Sequence, residues 1–139
     1  MEIRVAVKQL GKRKPSIAQQ ILEVPQLASP CQLNDVVKAI VSQQVEAFNE
    51  RITQPKIVSF LLSAEIQEAL EAGKVSFGDT YNQQTVSIEK AQDDALLAYK
   101  DGLFKVFLNE DEICELTQEL SFTSQDIFTF IRLTFLSGN

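Results

Sequence analysis

The longest β-favouring run of the chain is Ile127-Phe128-Thr129-Phe130-Ile131-Arg132-Leu133-Thr134-Phe135-Leu136. Because β-branched and aromatic residues fill it, this run predicts a strand from Ile127 to Leu136. Successive side chains of a strand point to opposite sides, and here both sides are apolar. A strand of this kind needs cover on both faces. We expect residues 52–102, rather than a partner protein, to cover the second face.

Three further strands are predicted near the ends of the chain. Ile3, Val5 and Val7 alternate with other residues and predict a strand at 3–7. Glycine and proline bracket the charged stretch 11–15, which predicts a hairpin loop with a return strand at 16–24. Alternating apolar residues predict the third strand at 103–108. A turn then leads to a very short strand at 113–116.

The middle of the chain predicts helices. Ser29-Pro30 is a typical helix start, since serine caps free amides and proline fits the first helical position. Apolar residues then recur at steps of three and four, which predicts an amphipathic helix of about twenty residues, ending near Glu50 or Arg51. The residues of this apolar stripe are Leu33, Val36, Val37, Ile40, Val41 and Val45.

Residues 52–102 predict an insertion between this helix and the third strand. It contains a short helix at 63–70, an extended piece at 74–82, and a helix that begins at Ser87 and ends at Asp101-Gly102. Its own apolar residues require it to pack on the rest of the core or on itself. We therefore expect residues 1–139 to form a single domain with an insertion at 52–102.

Without residues 52–102, the element order is strand, hairpin loop, strand, long helix, strand, short strand, long strand. This order resembles the β-grasp fold of the ubiquitin-like superfamily, and Leu103–Asn139 is the most similar segment. The resemblance implies an α+β domain in which a mixed four- to five-stranded sheet packs on one long helix. It also implies that the first and last strands pair in parallel, with the helix as the crossover.

Composition argues against catalysis. The chain has no histidine, which excludes Ser-His and Cys-His nucleophile pairs and histidine-ligated metals. The acidic clusters at 93–94 and 110–112 do not match a calcium loop. We therefore expect no catalytic residue, no metal and no cofactor.

Charge and hydropathy limit the classes of partner that we expect for this chain. The chain has 19 acidic and 13 basic residues, a net charge of −6, so nucleic acid is not an expected partner. No apolar stretch is long enough to cross a membrane, so no membrane is expected either. The polar start of the chain does not match a signal peptide, and we expect a cytoplasmic protein with reduced thiols.

The two cysteines predict little chemistry. Cys31 falls in the first turn of the predicted helix, where the helix N-terminus favours a thiolate. No base accompanies it, so we expect a small buried or half-buried residue. Cys114 lies in the predicted short strand, so we expect it in the core.

Candidate binding residues fall in three places. Lys12, Arg13 and Lys14 form a cationic hairpin tip that suits an acidic protein or a phosphate, the alternative being a solvated turn. The open face of the sheet offers Phe107, Phe130 and Arg132. The third place is Gly138 in the tail Leu136-Ser137-Gly138-Asn139. In the related sulfur carriers a similar strand leads to a terminal Gly-Gly, whereas here Asn139 replaces the last glycine.

Three functions remain at this point. The first is a non-catalytic, ubiquitin-like protein-interaction module whose partner is another protein, with a homodimer left open. The second is a sulfur-carrier or protein-modifier-like chain that acts through its Ser-Gly-Asn tail. The third is a small enzyme that uses carboxylates such as Glu65 or Asp79.

Overall fold

The computed structural model describes residues 1–11, 13, 17–49, 57, 61–62 and 88–133. Over these residues the chain is mixed α+β, with a five-stranded mixed sheet, a small two-stranded sheet and two helices. The elements in chain order are β1 (Glu2–Gln9), β2 (Ile17–Glu23), β3 (Cys31–Gln32), α1 (Leu33–Asn49), α2 (Ile88–Lys100), β4 (Phe104–Leu108), β5 (Asp111–Ile113), β6 (Glu119–Leu120) and β7 (Ile127–Arg132).

The large sheet has the strand order β2-β1-β7-β4-β5. β1 and β7 run parallel, in a register that pairs Val5 with Phe128 and Val7 with Phe130. The other neighbouring strands are antiparallel, and β3 pairs with β6 in the small sheet. The predicted parallel pairing of the first and last strands is therefore confirmed.

One face of the sheet forms a wall of the hydrophobic core. Phe128 and Phe130 of β7 have 0% and 1% of their surface exposed, and the intervening residues of β7 are partly exposed. Phe130 contacts Phe104 of β4 with tilted rings whose centroids lie 5.9 Å apart. Phe128 meets Phe122 edge to face at 5.0 Å. Such aromatic pairs stabilise a core beyond the area that they bury.

The start of α1 differs from the prediction. The helix begins at Leu33, because carbonyls from another segment accept its first amides: Leu33 N–H donates to Gln118 O at 3.2 Å and Asn34 N–H to Leu116 O at 2.9 Å. Asp35 accepts the Gln32 N–H at 3.0 Å, which completes the cap. Ser29 is not the cap, since its hydroxyl accepts the N–H of Phe122 at 2.9 Å.

The expectation of one long helix packed on the sheet is wrong. α1 packs most extensively against α2, which comes from the segment predicted as an insertion. Small buried residues of α2, among them Ala91 and Ala95, allow the two helices to approach closely. The Gln92 side chain joins the helices, because its amide donates to the Ser42 hydroxyl at 2.7 Å and to the Lys38 carbonyl at 3.2 Å.

Residues from the insertion belong to the same hydrophobic core as β1, α1 and β7. Ile57, Leu61 and Leu62 are fully buried there. The Ile57 N–H donates to the buried side-chain oxygen of Gln44 at 3.1 Å, which ties this segment to α1. The predicted helix at 63–70 and the extended piece at 74–82 lie outside the described residues.

Most strands and the second helix agree with the sequence, with shifted ends. α2 ends at Lys100, just before the predicted stop at Asp101-Gly102. Gly102 has a φ of +78° and forms a glycine C-cap, in which its N–H donates to Tyr99 O and the Leu103 N–H donates to Ala98 O. β5 starts at Asp111, two residues before the predicted short strand. β7 ends at Arg132, and residues 134–136 of the predicted strand lie outside the described part.

Replacing Phe130 by alanine tests this core. The ring is 1% exposed and packs against Phe104, so Phe130→Ala is expected to lower the free energy of unfolding by about 3–5 kcal/mol in urea titration. The control Leu97→Ala removes a side chain that is 56% exposed and is expected to cost less than about 0.5 kcal/mol. Equal costs for the two variants would contradict the core assigned here.

Candidate functional site: the outer face of the sheet

The three sheet residues predicted to bind a partner lie on opposite sides of the sheet. Phe107 is half-buried on the side of β4 that faces away from the core. Phe130 and Arg132 lie on the core side of β7, 1% and 7% exposed. Burial lowers the pKa of the Arg132 guanidinium. A partner reaches neither Phe130 nor Arg132 in this conformation.

Of the other predicted binding positions, the structure describes Arg13. Arg13 is exposed in the connection between β1 and β2, which turns at Gly11 with a φ of +89°. Lys12, Lys14 and Gly138 lie outside the described residues, as do Glu65 and Asp79. The carrier hypothesis depends on Gly138, and the enzyme hypothesis depends on Glu65 or Asp79.

The side of the sheet opposite the core, which we call the outer face, is the surface on which Phe107 lies. Strand register gives its residues in rows across β1, β7 and β4. One row is Ala6-Thr129-Phe107, and the next is Lys8-Ile131-Lys105. The outer face includes Arg4, Ala6, Lys8, Lys105, Phe107, Ile127, Thr129 and Ile131 on these three strands, with Ile21 of β2 beside Arg4 and Glu112 of β5 beside Phe107.

Positive charge brackets an apolar centre on this face. Lys8 of β1 and Lys105 of β4 both lie opposite the partly exposed Ile131. Lys8 is exposed, and the Lys105 side chain is 49% exposed with its amino group 3.6 Å from the Glu112 carboxylate. In a chain with a net charge of −6, the Lys8-Ile131-Lys105 row is a local cationic and apolar patch.

Arg4 is held at the opposite end of the outer face. Its Nε donates to the Ser124 carbonyl at 3.0 Å, and its guanidinium also donates to the Gln19 side chain at 3.0 Å. Because two bonds fix this cation to its own chain, Lys8 and Lys105 are the more adaptable cations of the outer face.

A turn at Asn109 fixes the register between β7 and β4. Asn109 has a φ of +56°, a left-handed conformation that asparagine tolerates. Asn109 and Ile127 exchange hydrogen bonds: the Asn109 N–H donates to Ile127 O at 2.7 Å, and the Ile127 N–H to Asn109 Oδ1 at 3.0 Å. The residue pairs across the outer face follow from this register.

Asp126 holds the Asn109 side chain in place. One carboxylate oxygen accepts the Thr123 N–H at 2.9 Å, and the other accepts from Asn109 Nδ2 at 3.1 Å. These bonds, first the Thr123 backbone and then Asn109, lower the pKa of Asp126. The carboxylate therefore has to be ionised for the turn to be fully bonded.

A cavity of about 510 Å³ opens at the other end of the sheet, between the end of α2, β4 and the segment after β5. Phe104, Leu116 and Leu133 give it an apolar lining, and the Tyr99 hydroxyl donates to the Ile113 carbonyl at 2.7 Å. Burial, followed by nearby acidic groups, raises the pKa of Tyr99. Cys114, Glu112 and Glu115 also line the cavity, which no sequence pattern predicted.

The cysteines agree with the prediction only in part: Cys31 is half-buried as expected, but it does not lie in the helix. Cys31 lies in β3 ahead of the helix, and burial, with Asp35 nearby, raises the pKa of its thiol. A thiolate favoured by the helix N-terminus is therefore not what the structure provides. Cys114 is exposed at the rim of the cavity and not in the core, because β5 ends at Ile113. Neither thiol forms a disulfide.

Comparison with protein-family models, with curated proteins and with solved structures finds no match for this chain. In the described ranges, no three histidine, cysteine or acidic side chains are grouped so as to hold a metal ion. Neither helix of the described part is long and apolar enough to cross a membrane.

The sequence did contain a signal for the outer face. Arg4 and Lys8 alternate with Ile3, Val5 and Val7, so the cations mark the outward side of β1. Parallel pairing with β7 then assigns Ile127 and Ile131 to that same side. The pattern of β7 does not show which of its faces is buried, because both are apolar. The sequence therefore predicts Phe130 and Arg132 on the open face, which is wrong.

Asp126→Asn tests the turn that sets the register. Asparagine has one acceptor oxygen, so it keeps only one of these two bonds and turns its NH2 group toward the other donor, either Asn109 Nδ2 or the Thr123 N–H. The variant is therefore expected to unfold at lower urea concentration at pH 7. The folded-state pKa is lowered, so the carboxylate stabilises the protein above its unfolded pKa, and this stability is lost as pH falls through the folded pKa.

The gap in stability between wild type and Asp126→Asn should therefore shrink below about pH 4, near the unfolded-state pKa of aspartate. Asp93→Asn, on an exposed position of α2, is the matched control and should change little at either pH. A gap that is constant from pH 7 to pH 3 would contradict this role of Asp126.

Thiol labelling tests the placement of the cysteines. N-ethylmaleimide is expected to modify exposed Cys114 faster than half-buried Cys31, whose raised pKa leaves less thiolate at pH 7. Peptide mass spectrometry over time measures both rates, and Cys31 labelling should rise as pH increases. Cys31→Ser should keep the fast phase and Cys114→Ser the slow one; the reverse assignment would contradict the structure.

Proposed function

We propose that this chain is a non-catalytic protein-interaction module of the ubiquitin-like β-grasp type. The sheet order β2-β1-β7-β4-β5, with a parallel pair formed by the first and last strands, supports this assignment. So does the position of α1 in the chain, between the first hairpin and the last three strands of the sheet. The packing of α1 against α2, a helix within residues 52–102, differs from the single-helix β-grasp arrangement.

The observation that carries the proposal is the Lys8-Ile131-Lys105 row on the outer face. An apolar side chain between two lysines suits a partner surface on which an apolar side chain lies near carboxylates. The half-buried Phe107 in the adjoining row extends the apolar part of this surface. Exposed Arg13 adds positive charge beyond the end of β1.

A non-catalytic role agrees with the chemistry of the chain. The absence of histidine removes the commonest general base. The Cys31 thiol has a raised pKa, which disfavours its reactive form. Binding through the outer face uses groups that need no activation.

Charge reversal at the patch tests the proposal. Wild-type protein, Lys8→Glu and Lys38→Glu would each be immobilised and exposed to an extract of the source organism, and captured proteins identified by mass spectrometry. Both lysines are exposed, but Lys8 lies on the outer face and Lys38 on α1, away from it. Wild type and Lys38→Glu should capture the same protein, and Lys8→Glu should not.

The captured protein would then be purified and its affinity measured by calorimetry. Lys8→Glu is expected to weaken binding about tenfold or more, and added salt should weaken wild-type binding, because the contact is partly electrostatic. Equal affinities for Lys8→Glu and Lys38→Glu, or capture of no protein by the wild type, would contradict the proposal.

A further inference from the structure

The two edges of the large sheet differ in how well they are protected against another strand. At one edge, β5 has three residues and carries Asp111 and Glu112. At the other edge, β2 has seven residues, and its one charged residue is Glu23 at its end. A short edge strand and charged side chains discourage pairing with another chain, and β2 is neither short nor highly charged. Its Ile21 side chain is 52% exposed.

Backbone hydrogen bonding shows which groups of β2 face outward. The Val24 N–H donates to the Met1 carbonyl at 2.9 Å, so this pair is a hydrogen-bonded one. Hydrogen-bonded and non-bonded pairs alternate along antiparallel strands, which makes Ile3 and Leu22 the next bonded pair. The N–H and C=O groups of Ile21 and Glu23 therefore point away from β1, toward the edge.

Opposite charges lie at the two ends of β2. Before its first residue stands the exposed Arg13, flanked in sequence by Lys12 and Lys14. At its last residue stands Glu23, beside Glu2 of β1 in the strand register, and both are exposed. The amino group of Met1 lies 3.2 Å from Glu23, which offsets part of the negative charge at that end.

We propose that two copies of this chain pair through their β2 edges as an antiparallel, twofold-symmetric dimer. Antiparallel pairing brings the basic end of one β2 to the acidic end of the other, twice in each dimer. A twofold interface requires a surface that is complementary to itself, and β2 with its flanking charges has that property. The pairing joins two sheets into one of ten strands. Its contacts are the β2 edge and the charges at the two ends of β2, whereas the Lys8-Ile131-Lys105 row lies on β1, β7 and β4.

The first test is sedimentation equilibrium of the full chain over a range of concentrations. The mass should rise from 15.6 kDa toward twice that value with concentration, and more strongly at low salt than at high salt. Ile21→Lys places a charge on the edge strand and should raise the dimer dissociation constant about tenfold or more. Leu97→Lys, on α2 at 56% exposure, is the matched control and should leave it unchanged.

A charge exchange provides a second test that does not depend on how Ile21→Lys folds. Arg13→Glu and Glu23→Arg each create like-charge contacts at both ends of the dimer, so each variant alone should remain monomeric at low salt. An equal mixture of the two should associate, because each end then pairs opposite charges. Circular dichroism would check that both variants fold.

Three results would overturn the dimer. They are a single mass of 15.6 kDa at every concentration, equal effects of Ile21→Lys and Leu97→Lys, and a mixture of charge variants that stays monomeric. A chain that remains monomeric but binds a foreign peptide along β2 would also overturn it. Because capture through Lys8 is measured separately, failure of the dimer would leave the proposed partner binding standing.

Discussion

The parallel pairing of β1 with β7 is the interaction on which the rest of the structure depends. It joins residues that are more than a hundred positions apart and places the beginning and the end of the described chain at the centre of one sheet. β2 then pairs with the free edge of β1, and β4 pairs with the free edge of β7. Without this contact the chain would have two separate hairpins and no common wall for the core.

The same pairing decides what the surface of the molecule offers. Its register turns Phe128 and Phe130 inward with Val5 and Val7, and it turns Ile131 outward beside Lys8. One register therefore determines both the core and the outer face, because a shift of one residue in β7 would move its core side chains to the outer face and its outer side chains to the core. The Asn109–Ile127 bonds reinforce that register from the β4 side.

Local patterns in the sequence were sufficient for much of this fold. Periodicity located β1, β4, β7 and α2, because each has an apolar face of its own, and the hairpin loop predicted at 11–15 located β2. The start of α1 was missed because its first amides bond to carbonyls more than eighty residues away, which no local pattern encodes. The packing of α1 on α2 was missed for a similar reason. The candidate site was half predicted: Phe107 lies on the outer face, whereas Phe130 and Arg132 are buried, since β7 is apolar on both sides.

Nuclear magnetic resonance of the isotope-labelled protein tests the central pairing most directly. Parallel pairing predicts nuclear Overhauser effects between backbone protons of Val5 and Phe128, and of Val7 and Phe130, which are neighbours in the register. It also predicts a run of such contacts that advances in the same direction along both strands. Contacts that advance in opposite directions, or a β1 strand whose only neighbour is β2, would contradict the fold and the outer face that depends on it.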